Sequence, residues 1–177
     1  MKRRTVFKVM AVSALPTLGK LGGRGTLGAF GSLGAFSLSA RAHEADAQRI
    51  YINEEEWFDR LSYLQYSILV MGETEDPGSS ELLTEQRPGV YKCIGCDLDL
   101  FRSEWKFDSN TGWPSFWDAI PGHLEEIRVG LGLLGPVEYR CARCGGHHGH
   151  VFNDGPQPTG RRYCSNGAVL VFTPDQG

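Results

Sequence analysis

The chain has 177 residues, of which 41% are hydrophobic, and its formal net charge is −3 at neutral pH. This length suits one domain with an appended segment. Residues 1–43 contain seven basic residues and no acidic residue, whereas the remainder contains eleven basic and twenty-one acidic residues, a formal balance of −10. This acidic balance after residue 43 argues against nucleic acid and anionic membranes as partners, since both require a basic face.

The first 42 residues have the composition of an export signal. A basic run, MKRR, precedes a short apolar stretch and a tract rich in small residues that ends at Ala40-Arg41-Ala42. That ending is typical of a signal-peptidase site, and the paired Arg3 and Arg4 resemble a twin-arginine signal whose phenylalanine lies one position late. No apolar run reaches the roughly 20 residues that span a bilayer. We expect cleavage after residue 42 and export to a bacterial periplasm, without a stable membrane anchor; a transit peptide or a disordered tail is the alternative.

A helix is predicted where the acidic part of the chain begins. Asn53, followed three residues later by Glu56, is a capping-box arrangement. Apolar residues then recur at intervals of three and four, at Trp57, Leu61, Leu64 and Ile68. This pattern predicts one helix from about residue 54 to 70 with its apolar stripe in the core. Residues 72–88 are polar and rich in turn formers, which predicts a long surface loop.

Short β-type runs fill the rest of the chain, and Gly, Pro, Asn and Asp separate them at close intervals. The runs are VYKC, LDLF, WKFD, SFWDAI, EIRVGL, VEYRC, HVF, RRYC and AVLVF. The spacing predicts a small antiparallel β domain, because βαβ units would need helices of about ten or more residues between strands.

Four of the five cysteines form two CxxC pairs, Cys93 with Cys96 and Cys141 with Cys144, separated by 44 residues. A CxxC pair on a tight turn points two sulfurs at one cation, and four thiolates complete a closed tetrahedral zinc site. We therefore predict a structural zinc ion. Because the gap between the pairs is long, this ion would join two distant parts of a sheet.

Three alternatives remain open for these cysteines. An exported protein folds where disulfides form, and disulfide formation competes with zinc for the same sulfurs. One pair could instead be a thioredoxin-like redox couple, although the βαβ setting of that motif is absent. Four cysteines also bind iron.

The fifth cysteine, Cys164, lies in the segment RRYCSNG and is a free thiol if the two pairs bind metal. A lone cysteine is more often a small buried hydrophobe than a reactive group. In an extended segment, however, Arg162, Cys164 and Asn166 point to one face. A thiol of pKa about 8.5 is only a few per cent ionised at neutral pH, and a neighbouring cation raises the thiolate fraction. The pattern therefore indicates an activated nucleophile.

Three of the five histidines lie in the segment GGHHGHVFNDGP, at His147, His148 and His150. They could bind metal, transfer protons or donate hydrogen bonds to a polar oxygen of a substrate. Since four sulfurs are already available for one metal, we favour acid–base or hydrogen-bonding roles. Asp154 either orients one of these histidines or caps a turn.

Aromatic residues surround a Gly-Trp-Pro turn in the segment KFDSNTGWPSFW. Pro114 fixes the backbone after Trp113 and restrains Trp113 itself. A rigid, partly exposed indole suits a small apolar group such as a methyl. The alternative is that these aromatic residues are core, as we expect for Phe116.

Together these motifs resemble the methionine-R-sulfoxide reductase family, usually called MsrB. The series CxxC, GWPSFW, CxxC and HxGHVFxDGPxPTGxRYCxN occurs in that order between about Glu54 and Thr173. The resemblance implies an MsrB-like reductase domain over residues 43–177. Its fold would be mainly β, with two small antiparallel sheets, one or two N-terminal helices and a structural zinc bound by the four CxxC cysteines.

The resemblance also implies a reaction. Cys164 matches the nucleophile, and Trp113 matches the residue whose ring packs on the S-methyl group of the substrate. The thiolate would attack the sulfur of methionine R-sulfoxide, a histidine would supply a proton to the oxygen, and Cys164 would become a sulfenic acid as methionine leaves. Oxidised proteins and peptides would be the substrates, which implies protein repair under oxidative stress.

Five further residues match polar positions of the family's site. His147, His150 and Asn166 match residues around the sulfoxide oxygen. Arg162 and Asp154 match charged residues that support the site.

The chain departs from the family pattern at several positions. Thr111 lies two residues before the GWPSF tryptophan, where many members have a resolving cysteine, and the chain has no sixth cysteine. We therefore expect an external thiol, such as a thioredoxin-like protein, to attack the sulfenic acid directly. His148 replaces a common leucine, Gly167 replaces a serine or alanine, and residues 128–139 replace a more polar segment.

Two other functions fit parts of the pattern. A zinc-ribbon binding module would leave Arg162, Asn166 and the histidines unexplained, and the balance of −10 counts against a nucleic-acid version. A dithiol oxidoreductase would use one CxxC pair, and changing Cys93 or Cys141 would then abolish activity without loss of fold. We rank both behind the reductase and take a monomer as the default oligomeric state.

Overall fold

The computed structural model describes residues 47–128 and 136–176. The predicted export signal and residues 129–135 of the changed segment lie outside these ranges, so the expectations for them stay predictions. Neither helix in the described ranges is long and apolar enough to cross a membrane.

The predicted N-terminal helix is two helices, α1 (Glu54–Arg60) and α2 (Tyr63–Leu69). The capping box at Asn53 is confirmed, since its side chain accepts a hydrogen bond from the Glu56 backbone N–H at 3.0 Å. The single-helix prediction is wrong because Ser62 forms a second capping box with Gln65, which begins a new helix. Leu64 is consequently 52% exposed, whereas the other members of the predicted apolar stripe are buried.

Nine strands follow in the described residues: β1 (Gly89–Cys93), β2 (Asp99–Arg102), β3 (Lys106–Phe107), β4 (Ser115–Phe116), β5 (Leu124–Arg128), β6 (Val137–Cys141), β7 (His147–Phe152), β8 (Arg162–Ser165) and β9 (Leu170–Pro174). Each predicted β-type run overlaps one of them. The strands form a three-stranded antiparallel sheet in the order β2-β1-β9 and a six-stranded antiparallel sheet in the order β3-β4-β8-β7-β6-β5. The predicted fold class is confirmed.

The core lies between the two sheets. Phe101 of the three-stranded sheet stacks on Phe116 of the six-stranded sheet, with ring centroids 4.2 Å apart. Phe101 also packs edge-on against the ring of Tyr139 and at a tilt against the ring of Tyr163. Because successive strand residues point to opposite faces, the burial of Tyr163 in this core turns its neighbour Cys164 to the other face of the sheet. Phe116 is fully buried, as predicted.

His148 is a polar residue inside this core. The pairing of β6 with β7 shifts by one residue, because Tyr139 pairs with Gly149 and Arg140 pairs with His147, so His148 is the extra residue of a bulge. Its ring lies parallel to that of Tyr139, at 6.4 Å between centroids. His148 is fully buried, and neither ring nitrogen has a hydrogen-bond partner within the described ranges. Burial lowers the pKa of His148 to about 3.

We predict that His148→Leu stabilises the fold, and stabilises it more at acidic pH. Replacing a buried, unpaired imidazole with an apolar side chain should add about 1–3 kcal/mol to the free energy of unfolding at pH 8. The imidazole of His148 is protonated below about pH 6.5 in the unfolded state, but only below about pH 3 in the folded state. Wild type should therefore lose up to about 1.4 kcal/mol per pH unit in this window, and the variant should not.

Urea unfolding of both proteins between pH 4 and pH 8 measures this difference. Comparing two otherwise identical chains cancels the contribution of the cysteines, which also depends on pH. A constant difference across that range would contradict the prediction, as would a less stable variant at pH 8.

Candidate functional site

Cys164 lies at the centre of a row of side chains that crosses four strands. It is directly opposite Ser115 on β4 and His150 on β7. His150 is in turn opposite Glu138 on β6. Because directly opposite residues of antiparallel strands share a face, all four side chains project from the side of the sheet away from the core.

A small pocket of about 160 Å³ opens beside this row. Cys164 and His150 line it together with Trp113 and Phe152, so two aromatic rings border the thiol and the imidazole. Thr74, Gly149, Ser165 and Asn166 complete the lining. Such a mainly apolar pocket with few polar groups suits a small ligand that has one polar atom.

Gly149 permits the close approach of β7 to β8 at this pocket. A Cβ atom at position 149 would lie 1.9 Å from the carbonyl oxygen of Cys164. Any side chain there would therefore push the two strands apart and separate His150 from Cys164.

The pKa of the Cys164 thiol is raised, because burial outweighs the groups that favour its thiolate. Arg162 lowers this pKa by its charge, and hydrogen bonds from the hydroxyls of Thr111 and Ser115 lower it further. The expected effect of Arg162 is present, but it does not prevail over burial. The resting thiol is therefore mainly protonated at neutral pH.

Thr111 belongs to a chain of hydroxyls beside the sulfur. Ser109 Oγ lies 2.8 Å from Thr111 Oγ1 and 2.7 Å from Ser115 Oγ. Ser115 Oγ also lies 3.1 Å from the backbone carbonyl oxygen of Trp113. The position at which many family members have a resolving cysteine thus faces Cys164 in this chain.

His150 and His147 differ in their access to the pocket. His150 lines it, and burial, followed by the neighbouring His147, lowers the pKa of its imidazole, so this ring is neutral at pH 7. His147 is buried behind it, with ring centroids 5.5 Å apart. Its Nδ1 lies 2.8 Å from Glu138 Oε1.

Glu138 is a buried carboxylate that is not among the predicted site residues. Burial raises its pKa, but hydrogen bonds from Arg140 and His147 outweigh this effect, so the pKa lies below its usual value. The ionised carboxylate therefore accepts the Nδ1 hydrogen of His147 and fixes its tautomer. No sequence signal marks its burial, because apolar and polar residues alternate along VEYRC and Glu138 occupies one of the polar positions.

Arg162 and Asp154 form an ion pair beside the pocket and do not line it. The Arg162 guanidinium donates to both oxygens of Asp154, at 2.8 Å each, and these hydrogen bonds hold the pKa of Asp154 below its usual value. The guanidinium also stacks 4.2 Å from the centroid of Phe152. Asp154 was expected either to orient a histidine or to cap a turn. Within the described contacts its carboxylate instead binds Arg162.

Asn166 lines the pocket, but its amide is engaged in the fold. Its Oδ1 accepts the backbone N–H of Glu75 at 3.0 Å, and its Nδ2 donates to the carbonyl of His148 at 3.1 Å. Glu75, in the loop predicted to lie at the surface, is instead buried. No signal distinguishes it in the sequence, because the neighbouring residues 73 and 76 are also acidic and are exposed.

Gly167, which departs from the family pattern, lies against a second part of the same loop. A Cβ atom there would lie 1.9 Å from Ser80 Oγ. That hydroxyl caps the short 3-10 helix Glu81–Leu83 by accepting the N–H of Leu82. A serine or alanine at position 167 would displace this cap.

The four CxxC cysteines converge on one point between the two sheets. Cys93 ends β1 of the three-stranded sheet and Cys141 ends β6 of the six-stranded sheet, with Cys96 and Cys144 in the turns that follow. Both turns are built alike, since the N–H groups of Asp97 and Gly145 donate to the carbonyls of Cys93 and Cys141, respectively. The cysteines therefore join two sheets, whereas we expected them to join parts of one.

The sulfur positions fit a single metal ion and do not fit disulfides. All four Sγ atoms lie within 4.8 Å of one another, and Sγ–Sγ distances of 3.5 and 3.6 Å join cysteines of different pairs. A disulfide requires about 2.05 Å, whereas four thiolates at about 2.3 Å from a tetrahedral ion lie about 3.8 Å apart. Hydrogen bonds from the neighbouring thiols lower the pKa of Cys96, so a thiolate forms readily in this cluster.

Comparison with known proteins agrees with this arrangement. The SelR domain model matches residues 61–174. The peptide methionine sulfoxide reductase MsrB of Leifsonia xyli subsp. xyli is 47% identical over 128 residues, covering 70% of this chain and 90% of that protein. The protein of the same name from Bradyrhizobium diazoefficiens is 47% identical over 128 residues, covering 71% and 91% of the two chains.

A relative from Mus musculus, methionine-R-sulfoxide reductase B3, mitochondrial, is 42% identical over 127 residues, covering 71% of this chain and 50% of that protein. The match of the domain model spans more than half of the chain, and the bacterial relatives are matched over nearly their whole length. The chain therefore belongs to the SelR domain family, that of the MsrB methionine-R-sulfoxide reductases.

Proposed function

We propose that this protein reduces methionine R-sulfoxide in oxidised proteins and peptides to methionine, with Cys164 as the nucleophile. The observation that carries the proposal is the pocket in which the Cys164 thiol and the His150 imidazole face Trp113. The apolar walls of the pocket suit the methyl-sulfur group of the substrate, and the row of Ser115, Cys164, His150 and Glu138 suits the sulfoxide oxygen.

The first step needs no proton from solvent. The Cys164 sulfur bonds to the sulfoxide sulfur; the oxygen then transfers from that sulfur to Cys164, and the sulfur–sulfur bond breaks as methionine leaves. The sulfoxide is thereby reduced by two electrons as the thiol becomes a sulfenic acid. The thiol supplies one proton and the sulfenic acid retains one. His150, neutral and opposite Cys164, is placed to take the thiol proton and return it to the oxygen.

The remaining residues of the site support this transfer. Arg162 favours the thiolate as the proton leaves, and its own position is fixed by Asp154 and Phe152. His147, held by Glu138, packs against His150 and restrains its ring.

An external thiol would restore Cys164. The first thiol of a thioredoxin-like reductant attacks the sulfenic sulfur and releases water, which leaves a mixed disulfide. Its second thiol then displaces Cys164 and becomes part of a disulfide in the reductant. Thr111, which faces Cys164, cannot form the internal disulfide that a cysteine would form there.

We further propose that the four-cysteine cluster binds zinc in a structural role. Four sulfur ligands leave no open position on a tetrahedral ion, so the metal would stabilise the fold and take no part in the reaction. The donor atoms also suit iron, and metal analysis distinguishes the two.

We predict that Cys164→Ser abolishes reduction of an R-sulfoxide peptide with dithiothreitol as the reductant. Turnover should fall at least about a thousandfold, because a serine hydroxyl is a far weaker nucleophile than a thiol. Wild type should leave the S-sulfoxide peptide unreduced. Metal content and circular dichroism serve as controls for folding, and retained turnover in a folded variant would reject Cys164 as the nucleophile.

We predict that Thr111→Cys creates an internal disulfide with Cys164. One equivalent of sulfoxide without a reductant should give wild type a sulfenic acid that dimedone traps, and should give the variant a product lacking two hydrogens and resistant to dimedone. Mass spectrometry of the intact chain distinguishes these products. Thr173→Cys, at an exposed position of the other sheet, is the matched control, and an internal disulfide at Cys164 in wild type would contradict the proposal.

We predict that wild-type protein contains zinc and that Cys96→Ser removes it. The melting temperature should fall by at least about 10 °C, since losing several kcal/mol costs about 2–4 °C per kcal/mol in a domain of this size. Elemental analysis and calorimetry measure both effects, with Cys164→Ser as a control that keeps its zinc. An equally stable, metal-free Cys96→Ser protein would exclude a structural metal.

A further inference from the structure

Glu75 is a buried carboxylate in the loop between α2 and β1, and only 5% of its surface is exposed. The proposed reaction assigns it no role. A carboxylate is rarely buried unless its oxygens are hydrogen-bonded, so its contacts indicate what it does.

The side chain of Glu75 binds the turn that follows β8, the strand that contains Cys164. The two carboxylate oxygens accept the backbone N–H groups of Gly167 and Ala168 at 2.5 and 2.9 Å, respectively. Its own backbone N–H donates to Asn166 Oδ1 at 3.0 Å. Three hydrogen bonds thus connect one loop residue to three consecutive residues, beginning two positions after Cys164.

The backbone carbonyl of Glu75 binds the opposite wall of the pocket. It accepts the indole Nε1–H of Trp113 at 3.1 Å. An indole nitrogen only donates, so this hydrogen bond fixes the rotation of the ring as well as its position. Trp113 and Cys164, which border the same pocket, are therefore connected through a single residue.

We propose that Glu75 is a positioning residue that sets the distance and angle between the Trp113 ring and the Cys164 sulfur. This inference rests on the proposed function, in which the indole holds the methyl-sulfur group that Cys164 attacks. Misplacing a substrate-binding group by about 1 Å can lower kcat/KM about a hundredfold, so the carboxylate would act on the reaction without touching the substrate.

The chemistry of the contact requires a carboxylate. Two N–H donors converge on Glu75, and its two carboxylate oxygens offer an acceptor to each. A glutamine of the same shape would turn its NH₂ group toward one of these donors, and an aspartate would be one methylene too short.

The test compares Glu75→Gln with Glu73→Gln, which changes an exposed acid in the same loop. Both are assayed with an R-sulfoxide peptide and dithiothreitol, with Cys164→Ser as the inactive reference. We expect KM to rise between about tenfold and a hundredfold in Glu75→Gln and to stay unchanged in Glu73→Gln. Alkylation of Cys164 by iodoacetamide should stay within about twofold of wild type, since the thiol keeps its own neighbours.

A double-variant cycle tests whether the effect passes through the indole. Trp113→Phe keeps an aromatic ring but loses the N–H, so adding Glu75→Gln to it should change KM by less than about twofold. A full additional increase, or a wild-type KM in Glu75→Gln alone, would overturn the proposal. If Glu75→Gln does not fold, the Trp113→Phe variant alone tests the proposal. A wild-type KM in Trp113→Phe would show that the indole hydrogen bond is dispensable and would reject the proposal.

A second measurement separates this proposal from the proposed function. Acrylamide quenching of Trp113 fluorescence, taken as the difference between each protein and its Trp113→Phe counterpart, reads the ring position without any turnover. Increased quenching in Glu75→Gln supports positioning even if wild type reduces no sulfoxide, and unchanged quenching rejects it whatever the activity.

Discussion

The pairing of β8 between β4 and β7 is the constraint on which the site depends. This register brings Ser115, Cys164, His150 and Glu138 into one row on one face. Because side chains alternate along a strand, a slip of one residue would bury Cys164 in the core and expose Tyr163. The aromatic packing of Tyr163, Phe116 and Phe101 opposes such a slip, so the burial of one face determines the chemistry of the other.

Burial gives the site its resting protonation state. It raises the pKa of Cys164 and lowers that of His150, so a protonated thiol faces a neutral imidazole. This pair holds the single proton that the sulfoxide oxygen needs. A fully ionised thiol would attack faster, but it would leave that proton to be found elsewhere and would also oxidise more readily in the absence of substrate. The opposing effects of burial and Arg162 therefore suit a nucleophile that reacts with a bound substrate.

The sequence predicts where the strands lie better than it predicts which side chains contact one another. Alternation and turn residues locate the nine strands of the described residues, and motif spacing locates the four-cysteine cluster and Cys164. The break at Ser62 has its own sequence signal, the capping box with Gln65, but the apolar spacing continues across it and predicts a single helix. Glu75 is different in kind. Its burial depends on backbone N–H groups about ninety residues away in the chain, and no local pattern encodes which acid of a polar loop will meet them.

The four-cysteine cluster contacts, through its two turns, the segments that form both walls of the pocket. The turn of the second CxxC pair closes with the Cys141 N–H donating to the carbonyl of Gly146, so β7 begins at a fixed point and its histidines enter register with Cys164. The turn of the first pair donates the N–H of Ile94 to the carbonyl of Val169, in the turn that Glu75 also binds. A metal holding both turns would therefore limit the freedom of both walls of the pocket while remaining outside it, which is how a structural ion can matter to a reaction in which it takes no part.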